Sequence, residues 1–221
     1  LIIAIVVFLE SIPAMQQSGL GFLFESQWDP VKNIYGALPV IYGTLVSAAL
    51  SLLIAVPLGL GTAIFLSEDF IPLNIRTVLV FLVELLAAIP SVVYGLWGIF
   101  VLIPLIKPLG FWLHDNLGWM PIFNTAPAGP GMLPAGVVLS VMILPIITAI
   151  ARDSLASLPP ELRQASLGLG ATRWETIFRV LVPAAFSGIV GGIMLALGRA
   201  MGETMAVTMI IGNSLKFSNS P

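Results

Sequence analysis

Residues 38 to 66 run from Leu38 to Leu66 without a single Asp, Glu, Lys or Arg. Crossing the hydrocarbon layer of a bilayer takes about 20 predominantly apolar helical residues, and within that layer only helices and closed barrels satisfy their own backbone. The run therefore predicts a transmembrane helix. Four more segments share its character: 1 to 9 (the tail of a span), 76 to 106, 133 to 152 and 182 to 212. Pro57, Pro90 and Pro145 fall inside three of the five. Neighbouring helices accommodate proline in membranes, so the expectation is kinked spans, not interrupted ones.

Composition points the same way, with 58% hydrophobic and only 9% charged residues, against roughly 25% charged in soluble domains. A net charge of -2 with scattered lysines offers no basic surface for nucleic acid. The absence of cysteine excludes a disulfide framework, a thiolate nucleophile and a Cys-based metal site. The expected fold is all-α, a polytopic transmembrane bundle forming one domain over residues 1–221. The chain opens on LIIAIVVFL and closes on KFSNSP, which reads as a fragment lacking the start of its first span and at least one later span.

Orientation follows from cations near the span ends. Arg76, Arg152, Arg163, Arg173 and Arg179 lie on one side, against Lys32, Lys107 and Lys216 on the other. Loop 153–181 is thereby expected in the cytoplasm, with loops 10–37 and 108–132 external. In the second external loop, His114 beside Asp115 falls far short of a metal site, and Trp112 and Trp119 suit an interfacial belt.

The richest connector is PPELRQASLGLGATRWETIFRVLVP, residues 159–183. Pro159 and Pro160 end the preceding segment, Glu161 suits a first helical turn, and Gly168 and Gly170 stop the helix after about two turns. Thr172 is placed to cap a second amphipathic piece carrying Trp174, Ile177, Phe178 and Leu181 at helical spacing. A short helix held between two spans can dock in a groove on a cytoplasmic partner; resting on lipid headgroups is the simpler alternative.

Here the chain resembles the permeases of ABC importers with the type I, MetI-like fold. Their cytoplasmic signature is usually written EAA, three residues, Gly, nine residues, then I-x-L-P. This chain has Gln164-Ala165-Ser166, Gly170 and Val180-Leu181-Val182-Pro183 at the same spacing. Within that superfamily, ELLAAIPSVVYGLWG (84–98), LPIITAIARDSL (144–155) and GRAMGETMAVTMIIGN (198–213) look like the phosphate importer's permease, its C-type branch more than its A-type. The resemblance implies a multi-pass subunit of the bacterial cytoplasmic membrane with six spans in the full chain. It implies pairing with a second, PstA-like permease, two ATPase subunits that bind ATP and Mg, and an extracytoplasmic phosphate-binding protein. It also implies a coupling helix near 161–167, with Glu161, Gln164, Ala165, Ser166 and Gly170 at the ATPase contact. The residues agree that energy comes from elsewhere: no lysine follows a glycine, so there is no phosphate loop. The chain is expected to be no enzyme and to carry no cofactor.

Arg199 and Glu203 remain to be placed. If 184–212 is one helix, Arg199 falls near its middle, where a charge costs about 2.5 to 3.5 kcal/mol on insertion scales. Glu203 would then stack on the same face about 6 Å away in rise. Either the pair is an internal ion bridge, or its face lines the translocation path, where a guanidinium fork suits phosphate and the carboxylate shortens its stay. Gly188, Gly192, Gly198 and Gly202 form two small-xxx-small pairs that suit close packing. Glu84, Thr204 and Asn213 are weaker path candidates, each also explained by helix-end satisfaction or snorkelling. Other oxyanions, sulfate or molybdate, fit the same fork. A secondary anion transporter is the rival in another class, although no inverted repeat is visible. A membrane scaffold would leave the charge pair without purpose.

Overall fold

The computed structural model describes residues 2–26, 28–29, 34–117, 119 and 129–211. Helix α1, Ile2–Ser18, ends in a 3-10 turn, and a two-residue antiparallel ladder pairs β1, Trp28–Asp29, with β2, Ile34–Tyr35. Then come α2, Leu38–Ser67; α3, Leu73–Ala88; α4, Ser91–Trp97; a π turn, Gly98–Leu102; and α5, Ile103–Leu117. α6 is Met132–Ala156 and α7 is Pro160–Gly168. α8, Arg173–Thr176, runs through a second π turn, Ile177–Leu181, into α9, Val182–Ala184. α10, Phe186–Gly202, and α11, Met205–Ile211, complete the order.

α2 and α6 form the central pair, and small residues let them approach. Ala48 and Ala55 of α2 pack on Leu139, Ile143 and Ile147 of α6, with Ala196 and Ala200 of α10 closing the cluster. A Cβ on Gly59 would sit 2.9 Å from Cγ2 of Ile147, so only glycine permits this approach. The Thr148 hydroxyl donates across to the Gly59 carbonyl at 3.3 Å. Elsewhere in the spans Thr44, Ser51, Thr62 and Ser140 turn their hydroxyls back onto their own helix carbonyls, which satisfies them without water.

Among the described residues three helical stretches are long and apolar enough to cross a membrane: Leu38–Ser67, Ser91–Asn116 and Met132–Ala156. A fourth arises if the piece 173–184 and α10, bent by 70° at Ala185, count as one. Pro57 and Pro145 sit within continuous helices, as expected. Pro90 does not: the segment expected as one span over 76–106 is two helices. Proline disfavours the helical region for the residue before it; Ile89 is extended at φ -71°, ψ 129°, and Pro90 opens α4. The span over 182–212 is likewise interrupted, at Glu203 and Thr204. α1 reaches Ser18 with Pro13 inside it, past the expected end at 9, and the first part of loop 108–132 is helical to Leu117.

Candidate functional site

The first site is the break between α10 and α11. Glu203 is not one turn above Arg199 on a continuous helix. It is the residue after α10, extended at φ -79°, ψ 115°, and its Oε1 accepts from the Ala206 backbone N–H at 3.3 Å. The carboxylate thus covers an otherwise open donor in the first turn of α11. This corrects the expectation that the two residues stack on one continuous helix, and the ion-bridge alternative goes with it: among the described residues Arg199 takes part in no hydrogen bond or ion pair. Its guanidinium is exposed on the outer side of α10 and acts electrostatically on Tyr94.

Tyr94 brings the two helix breaks together. It is buried in α4, and its hydroxyl donates to the Leu86 carbonyl at 2.8 Å, across the Ile89–Pro90 interruption. Gly95 next to it faces Ala206 and Met209 of α11. The interruptions at 89–90 and 203–204 are therefore neighbours around Arg199, Tyr94 and Glu203. Discontinuous helices of this kind line ion and substrate paths in transporters. Sequence reading singled out Arg199 and Glu203 but missed Tyr94, whose signal was its place four residues after a proline.

The glycines of α10 divide. A Cβ on Gly188 would collide with Ser154 of α6, and one on Gly192 would lie 3.1 Å from Ile150, so these two serve packing within the chain. Gly198 and Gly202 have nothing within 4 Å of that position, and they flank Arg199 on an open face. Of the weaker candidates, Glu84 is exposed on α3, a helix that buries none of its residues. Thr204 is exposed in the break, where its carbonyl accepts from the Thr208 hydroxyl at 2.6 Å. Asn213 lies outside the described residues.

The second site is α7. It ends on Gly170 at φ +87°: the Gly170 N–H donates to the Leu167 carbonyl at 3.0 Å and the Ala171 N–H to that of Ser166 at 3.2 Å. This is the Schellman closure, whose left-handed residue favours glycine. Thr172 caps α8 through a reciprocal box with Glu175. Burial splits the signature. Arg163 and Ser166 face the protein, Ser166 sharing a hydrogen bond with the buried Thr176 hydroxyl at 2.9 Å. Glu161, Gln164 and Ala165 are exposed, and Leu169 is 90% exposed at the tip. An exposed leucine beside a tight turn suits an apolar groove on another surface.

What sequence reading missed entirely is the loop after α2. Glu68 is 4% exposed, and its carboxylate pairs with Arg163 of α7 at 2.5 Å. Arg76 of α3 donates to the Glu68 carbonyl at 2.8 Å and to Asp69 at 2.9 Å. Arg173 of α8 lies over the Phe70 ring at 4.9 Å. Three of the cations that set the orientation are thus committed to one loop.

Residues 55–218 match the family of binding-protein-dependent transport system inner membrane components. The chain is 46% identical over 99% of its length to the phosphate transport system permease protein PstC of Haemophilus influenzae, covering 70% of that protein. It is 45% identical over 99% to the PstC of Mesorhizobium japonicum, covering 68%, and 43% identical over 94% to that of Xylella fastidiosa, covering 65%. It thus spans about two thirds of these relatives. Among solved structures, inward-facing forms of the MetNI methionine ABC transporter align with a TM-score of 0.53 at 20% identity, over 80% of this chain and 74% of theirs, a likeness of fold. These matches lead to one conclusion: the chain belongs to the inner-membrane component family of binding-protein-dependent transport systems, in its PstC permease branch.

Proposed function

We propose that this chain is a permease subunit of an ATP-driven phosphate importer, forming half of the translocation path and driven by a separate ATPase. The observation that carries the reading is Arg199: a permanent cation in a strongly apolar helix, without hydrogen bond or ion pair among the described residues, on a face left open by Gly198 and Gly202. Such a charge requires compensation from outside the chain, and an anion passing along an interface with a second, PstA-like permease supplies it. A guanidinium grips phosphate through bidentate, charge-assisted bonds, while Glu203, held at the start of α11, repels the anion and limits its stay. A conduit must bind loosely enough to release.

Coupling runs through α7. In this reading Glu161, Gln164, Ala165, Leu169 and the Gly170 turn enter a groove on the ATPase subunit, which binds ATP and Mg. Arg152 and Arg179 near the same ends support a cytoplasmic position for loop 153–181, with the segments that follow α1 and α5 facing the phosphate-binding protein outside. The test is phosphate uptake by the assembled importer in vesicles, with and without ATP. ATP-dependent uptake lost in Arg199→Gln at normal assembly supports the reading. Uptake driven by an ion gradient without ATP would establish a secondary transporter, and preference for sulfate or molybdate over phosphate would reassign the substrate.

A further inference from the structure

We infer that the loop Ser67–Pro72 is the joint through which α7 moves the spans, with Glu68 and Arg163 as its positioning residues. The inference rests on the coupling role of α7 proposed above. Four helices meet in this loop. Glu68 continues directly from α2, its N–H bonded to the Ile64 carbonyl at 3.0 Å, and its carboxylate holds Arg163 of α7. Arg76 of α3 grips the Glu68 carbonyl and the Asp69 carboxylate with one nitrogen. Arg173 of α8 reaches the Asp69 carbonyl at 3.4 Å and covers the Phe70 ring. Phe70 in turn stacks between Phe65 of α2 at 6.0 Å and Trp174 of α8 at 5.6 Å, and Trp174 continues to Phe178 at 5.9 Å.

A buried carboxylate tolerates its site only while its cation is present, so Glu68 and Arg163 must move together. Displacement of α7 by a partner is then handed to α2 by the ion pair and to α3 through Arg76. Among the described residues, Arg76 and Arg163 also each bury an Nε–H that meets no protein acceptor.

A passive lock predicts something else: weakening it lowers the amount of folded protein, and ATP hydrolysis and uptake fall in proportion. The distinguishing readout is ATP hydrolysed per phosphate transported, measured on the full assembled importer in vesicles. A background Ala165→Cys substitution reports α7 docking by cross-linking to a cysteine in the ATPase groove. Glu68→Gln and Arg163→Gln are each expected to raise the ratio at least about fivefold, the lower end of ordinary coupling energies, with cross-linking retained. Combining them should do no further harm, because both remove one interaction. Where Glu68→Gln lowers assembly, Arg163→Lys keeps the test open, since it retains the charge but loses the fork, and a smaller rise is expected. An unchanged ratio in Arg163→Gln and Arg163→Lys with cross-linking intact overturns the joint alone. Failure of Ala165→Cys, Gln164→Cys and Leu169→Cys to cross-link in otherwise unaltered importer overturns the coupling role of α7 and the joint with it.

Discussion

Arg163 and Arg199 are the same side chain under opposite terms. Arg163 meets a buried carboxylate from a loop far away in sequence, whereas Arg199 stands on the outer side of α10 with no ion pair among the described residues. A charge satisfied inside the chain binds elements of that chain together. One without a partner among the described residues, in apolar surroundings, calls for compensation from elsewhere. On the reading proposed above, the contrast separates a residue that holds and moves the permease from one that meets its cargo.

The sharpest way to break the contrast is at Arg199. Arg199→Gln should lower phosphate uptake by about ten- to a hundredfold, the worth of losing hydrogen bonds to a charged group, without changing the amount of assembled complex. The exchanged pair, Arg199→Glu with Glu203→Arg, should stay inactive, because the helix break leaves no internal bridge for the exchange to preserve. Near-normal uptake by the exchanged protein at matched expression would make both residues structural.

Within α10 the contrast can be sharpened by size alone. Gly188→Val meets Ser154 and should destabilise the chain by about 1–3 kcal/mol, read as loss of folded yield or a lower melting temperature in detergent. Gly198→Val meets open space and should leave the melting temperature unchanged while reducing co-purification of the second permease.

At α7, Gly170→Val places a branched residue at φ +87°, a strain of roughly 1–2 kcal/mol. It should raise the ATP hydrolysed per phosphate moved, while the protein still inserts. The smallest effect belongs to the α8 cap. The Thr172 backbone N–H and then its hydroxyl hold the Glu175 carboxyl below the ordinary carboxylate range. A depressed folded value means the cap contributes above the unfolded value and is lost as pH falls through the folded one. Thr172→Ala should therefore alter uptake little at neutral pH, and hydrogen exchange at the start of α8 should differ from the parent less in acid than at pH 7.

How much of this was legible follows from the range of the interactions. Span existence, the α7 stop at Gly170 and the Thr172 cap depend on neighbours in sequence, and all three could be read directly. The breaks at Pro90 and Glu203 are not legible locally, because neighbouring helices accommodate proline within spans and Glu203 is not itself a helix breaker. The Glu68 loop was invisible for a different reason. Its partners Arg163 and Arg173 lie about a hundred residues onward, and an acidic pair after a span reads as an ordinary solvated end. In sequence the same arginines read as the cations that set orientation near the span ends, which calls for no carboxylate partner.

The bend at Ala185 has a geometric consequence. Its residue is 4% exposed and lies in one buried cluster with Ala63, Ile64 and Leu155, which places the corner inside the packed core. On one side, residues 173–184 form an arm of about 18 Å; on the other, α10 runs about 21 Å to Arg199. Two nearly equal arms fixed at 70° are a bell crank of near-unit ratio. A rigid rotation of about 10° about that bend would carry both ends through roughly 3 to 4 Å, turned in direction and nearly equal in size.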